Sequence, residues 1–114
     1  WTIKELLQHM TDTERIFAYR SLCFARNEKA SLPGFDENEY AACCNANLRT
    51  WKDLAEEFLM VRKTTEILFN SFTNEALHNN GIANNNPSTA NSMGFTAIGH
   101  VYHHINILKE RYLS

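Results

Sequence analysis

Among the five histidines of this chain, His100 and His104 are spaced one helical turn apart. In a helix, residues four apart stand one above the other on the same face, so two imidazoles can converge on one ion. Stepping about 100° per residue places both on the flank of an apolar stripe, beside Ala97 and on the side of Arg111, while His103 points well away. His9 holds a similar flank position in an N-terminal helical segment, in line with Thr13, Ile16 and Arg20. Taken alone, a His-x-x-x-His pair is a weak metal signal, and a single histidine on a helix flank is usually a satisfied boundary residue. Whether His9 joins the pair depends on whether the first and last helices are neighbours, which periodicity leaves open. Three neutral imidazoles on one ion would leave one or more positions for water or substrate, the pattern of a catalytic more than a structural site. Water or a thiol held there loses its proton near neutral pH, which opens both hydrolysis and thiol transfer.

Other side chains could assist. Asp12, three residues after His9, is placed to accept a hydrogen bond from a ligand ring or to meet a metal-bound water, the plain alternative being a solvated surface carboxylate. Arg20 and Arg62 lie near the edges of apolar stripes, where a guanidinium can clamp a substrate carboxylate. Bundle-stabilising ion pairs with Glu14, Glu57 or Glu66 are the favoured alternative for these arginines. Tyr102 and Tyr112 read as packing residues, and Cys23, Cys43 and Cys44 as buried structural thiols.

The elements that must position these groups are helical. Thr2 and Glu5 form a capping box with Trp1 and Leu6 as a clamp across the turn, starting a helix that runs from about Thr2 to about Asn27. After Leu32-Pro33-Gly34, Asp36 caps a short helix with Phe35 and Tyr40 as its clamp. Thr50 caps a third helix, whose Leu54, Phe58, Val61, Thr65, Leu68, Phe69 and Phe72 form one stripe. Residues 78–92 are rich in Asn, Gly, Ser and Thr and read as a loop, a tolerant surface insertion or a lid. A last helix is expected from about Met93 to about Leu113, with Ile98, Val101, Ile105, Leu108 and Tyr112 on one face. Alternating strand patterns are absent, so the expectation is a single all-α domain over residues 1–114, a helix bundle.

Composition narrows the function classes. The chain has 114 residues, 44% of them hydrophobic and 21% charged, with net charge -2, a globular composition without the basic footprint of a nucleic-acid binder. Direct DNA binding is therefore disfavoured. No stretch reaches the about 20 apolar residues of a membrane span, and no signal peptide opens the chain. Three cysteines, two of them adjacent, argue against a disulfide framework and for a reducing cytoplasm.

The run from Trp1 to Arg15, Tyr19-Arg20, Leu32 to Asp36, Glu57-Phe58 with Val61-Arg62, and Ile98-Gly99-His100 leading to His103-His104 and Arg111-Tyr112 resemble the bacterial DinB-like superfamily over nearly the whole chain. The resemblance implies an up-down four-helix bundle holding a divalent metal through one histidine of its second helix and two of its fourth, here His9, His100 and His104. Zinc and nickel are the first choices, iron and manganese the others, since imidazole suits several metals. Relatives include enzymes that use low-molecular-weight thiols such as bacillithiol or mycothiol, and proteins named for induction by DNA damage. Mycothiol-dependent maleylpyruvate isomerases look similar in fold, but some carry Glu in place of one paired histidine, so this chain looks closer to a three-histidine branch. The enzyme reading is a thiol S-transferase or hydrolase acting on a small molecule. Its rival is a non-enzymatic, stress-associated bundle that works through protein association, with a structural or incidental metal. An open cleft lined by Arg20 or Arg62 would favour the enzyme, and a closed apolar cavity the rival. Family members usually carry a helix before the Trp that opens this chain. Its absence here suggests an N-terminally truncated copy, with apolar faces to be covered by a lost segment or by a partner chain in a homodimer.

Overall fold

In the computed structural model, which describes residues 1–112, three long helices form the body. Helix α1 spans Ile3–Ala25, α3 Trp51–Asn70 and α5 Ala90–Ile107, with short helices α2 (Glu37–Cys43) and α4 (Asn74–Leu77) in the connections. The local start signals act as expected. Thr2 accepts from the Glu5 amide while the Glu5 carboxylate accepts from the Thr2 amide. Asp36 caps α2 through the amides of Asn38 and Glu39, with the Phe35 and Tyr40 rings 5.0 Å apart, and Thr50 caps α3 through Asp53. Each cap satisfies helix N–H groups that have no partner inside the helix.

Both α3 and α5 pack mainly on α1, and they meet each other where Phe69 lies against Gly94. Lys4 reaches Arg49 and Glu14 reaches Arg62, so α1 and α3 run in the same direction. The connection through α2 carries the chain back to make this order. Helix α5 runs opposite: Ser21 donates to the Ala90 carbonyl near one end, and His9 meets His104 near the other. This antiparallel seam makes the first and last helices neighbours.

Residues 78–92 are not the loop expected. Strands β1 (Asn80–Ala83) and β2 (Asn86–Thr89) pair antiparallel, with Ala83 opposite Asn86. The two linking residues, Asn84 and Asn85, have φ of 51° and 64°. Positive φ at both central positions defines the hairpin turn whose twist matches paired strands, and Asn is among the few side chains that tolerate it. Leu32 joins the hairpin, donating to Ile82 and accepting from Asn84. The hairpin seats on the C-terminal end of α1, where a Cβ on Gly81 would lie 2.3 Å from Phe24. Phe24, Phe72, Ala83 and Ala90 form the core there. The hairpin is thus part of the core, and Phe24 lies fifteen residues, about 22 Å of helix, from His9. It is not a lid over the histidines.

Helix α5 begins at Ala90, capped by Thr89, because β2 delivers the chain directly to its first turn. Its buried positions are Ala90, Ala97 and His104, not the stripe through Ile98, which is 47% exposed. Small side chains let α5 approach α1 closely and leave the larger ones outside the seam. Tyr102 and Phe95 are exposed too, as are Met60 and Ile67 of α3. The Tyr112 side chain and Leu113, assigned above to the last turn, lie outside the described residues. Cys23 is buried, but Cys43 is exposed and Cys44 partly so, which corrects the expectation of three buried thiols.

Candidate metal centre

The α1/α5 seam brings His9, His100 and His104 together. Nε2 of His9 lies 3.0 Å from Nε2 of His100 and 3.1 Å from Nε2 of His104, and the last two are 2.9 Å apart. The i, i+4 spacing on α5 sets one edge of this triangle and the antiparallel packing sets the other two. His9 and His104 are buried and His100 is partly buried.

The surroundings are aromatic. Trp1, expected as a clamp on Leu6, places its ring 4.8 Å from that of His9, and Phe17 lies 6.0 Å from His100. His103 is exposed, with its ring 5.2 Å from His104. Burial holds His9 and His100 at about 4, with the charge of His104 adding to the effect, and lowers His104 as well. All three rings are therefore neutral at pH 7. Three neutral rings with nitrogens about 3 Å apart suit a shared cation, because nitrogens so spaced can each lie about 2.0–2.1 Å from one ion.

The other residues singled out above fall at different places. Asp12 accepts from Gln8 at 2.9 Å, and burial pushes its carboxyl above the usual range, partly offset by that bond. Arg20 donates to the Pro33 carbonyl and lies over the Phe17 ring, which links it to the aromatic wall beside His100. Arg62 grips Glu14 through Nε, at 2.9 and 3.0 Å from the two carboxylate oxygens. That pair lies in a groove between α3 and α5 of about 310 Å³, walled by Phe69, Phe95 and Ile98, and lined by none of the three histidines. Trp1 and Thr13 are the site neighbours that sequence reasoning missed. Thr13 was visible only as the residue one turn after His9.

Low histidine values fix the sign of a pH effect. The unfolded chain takes up protons near 6.5, the folded one only near 4. Between these values the unfolded state holds more protons, so stability is full above about pH 7 and declines as pH falls through 6 towards 4. With a chelator present, the urea midpoint is expected to fall from pH 7.5 to 5.5, and to fall less in His100→Ala. An equal midpoint at both pH values contradicts the burial of neutral rings.

A helix bundle with a convergent trio of histidines on two antiparallel helices is the class that fold and site define. Compared with models of protein families, residues 1–108 match the one described as the DinB superfamily. The chain belongs to the DinB superfamily. Neither the curated proteins nor the solved structures gave a match.

Proposed function

We propose that His9, His100 and His104 hold one divalent transition-metal ion, zinc or nickel first, and that the protein is a metal-dependent thiol S-transferase or hydrolase. The observation carrying this reading is the meeting of three neutral imidazole nitrogens within 3.1 Å. An ion held by three imidazoles has room for a further ligand and makes a water or thiol acidic near neutral pH. The chain's own residues do the rest. The histidines hold the centre and the rings of Trp1 and Phe17 lie against it, whereas Arg20 is buried and bonded to the Pro33 carbonyl, so a role in clamping an anionic substrate would require that bond to break. Arg62, tied to Glu14, could offer a substrate contact only from the α3/α5 groove. Asp12, held by Gln8, faces α2 beside Tyr40 and Cys44 rather than the α1/α5 seam, so the proton-accepting role read from its spacing to His9 finds no support there. In thiol transfer the sulfur forms a bond to an electrophilic carbon as the leaving group departs with its electron pair, and the thiol proton passes to solvent.

Free thiols fit a reducing cytoplasm, and no helix among the described residues is long and apolar enough to cross a membrane. For the exposed α3/α5 face we favour a second copy of the chain. Helix α5 has no Asp, Glu, Lys or Arg, so its outer face meets itself across a two-fold axis without like-charge repulsion. Gly99 adds to this, since a Cβ there would meet nothing within 4 Å and a mid-helix glycine without packing inside the chain is otherwise unfavourable. Light scattering should give twice the 13.2 kDa of the chain, and a monomer refutes the pairing.

The function is tested by loading the protein with zinc or nickel and assaying bacillithiol and mycothiol against alkylating electrophiles, with activated esters for hydrolysis. Metal-dependent turnover lost in His100→Ala is expected. A loaded protein without turnover on either panel favours the bundle that acts through association.

A further inference from the structure

Thr13 lies one turn beyond His9 on α1 and is 2% exposed. Its hydroxyl oxygen is 3.4 Å from Nδ1 of His9. Other helical threonines use their hydroxyls differently. Thr11 donates to the Leu7 carbonyl and Thr96 to Ser92, the usual back-bond of a helical threonine to the preceding turn. Thr13 turns to the imidazole instead.

That choice matters because of what the ring's other nitrogen does. Nε2 of His9 faces both His100 and His104. A neutral imidazole has one N–H and one lone pair, and a hydroxyl can accept from the N–H. With the proton on Nδ1, the lone pair of Nε2 points into the trio. His104 contrasts with this, since its Nδ1 is buried without a hydrogen-bond partner among the described residues.

We infer that Thr13 is a positioning residue: its hydroxyl accepts the Nδ1–H of His9, fixes the ring's rotation and directs the Nε2 lone pair at the centre shared with His100 and His104. The inference rests on the metal-site reading above and adds the residue that sets one ligand. Partners of this kind are typically worth about 10- to 100-fold in metal affinity.

The test compares Thr13→Val and Thr13→Ser with the parent, measuring zinc affinity by competition with a chromophoric chelator, urea stability, and the ring ¹⁵N resonances of His9 in the zinc-loaded protein. Valine keeps the methyl group and removes the hydroxyl, while serine does the reverse. Thr13→Val is expected to bind zinc about 10-fold or more weakly and to shift the His9 Nδ1 resonance. Thr13→Ser is expected to bind zinc like the parent even where the lost methyl lowers its stability. Unchanged affinity in Thr13→Val overturns the inference alone, as does equal weakening in both variants, which would assign the effect to packing. A parent that takes up no zinc overturns the metal-site reading and this inference with it.

Discussion

His104→Ala is expected to lose zinc or nickel binding altogether, with an affinity drop beyond the about 100-fold that marks the upper range for removing a supporting partner. His104 is one of the two buried members of the trio. It contacts both other rings through Nε2 at 3.1 and 2.9 Å, and it faces α1 near the C-terminal end of α5. His103→Ala is the control, because that ring is exposed and next in sequence but lies outside the trio. Competition titration of both variants checks this. Retained affinity in His104→Ala, or an equal loss in His103→Ala, would show that the trio is not the ligand set.

Arg62→Ala should cost about 3 kcal/mol of stability. Glu14 is 2% exposed and its carboxylate is held by Arg62, with Thr65 donating a further bond at 3.3 Å. Removing the guanidinium leaves a buried charge without its counter-ion, and that uncompensated charge is the penalty, more than any intrinsic worth of the pair. The double variant Arg62→Met with Glu14→Gln should recover most of the loss. Urea unfolding measures it, and a change below about 1 kcal/mol would mean that the pair acts as a solvated surface contact. Metal affinity should stay unchanged, since the pair faces the α3/α5 groove. An Arg62 that clamps substrate would instead raise KM while leaving stability alone.

Local grammar made much of this molecule legible. Thr2 with Glu5, Asp36 with Glu39 and Thr50 with Asp53 mark helix starts through bonds that span three residues, so a sequence window contains both partners. The His100 and His104 pair is readable for the same reason. The approach of His9 is not, because it depends on α1 and α5 lying antiparallel across 91 residues of chain, and only the family resemblance supplied that neighbour. The hairpin was missed because Asn80 to Thr89 lacks alternating apolar residues. Its register comes from Asn84 and Asn85 in the left-handed region and from Leu32, a contact made at long range. The inner face of α5 was misjudged because close packing against α1 selects Ala90 and Ala97, while periodicity weights Ile98 and its larger neighbours.

The most direct test of the histidine centre is the metal content of the untagged protein after exposure to zinc or nickel at pH 7.5, by elemental analysis with gel filtration. About one equivalent per chain is the expected result, with none retained in His9→Ala. No retained metal, or one equivalent that survives the loss of His9, would contradict a shared site on α1 and α5.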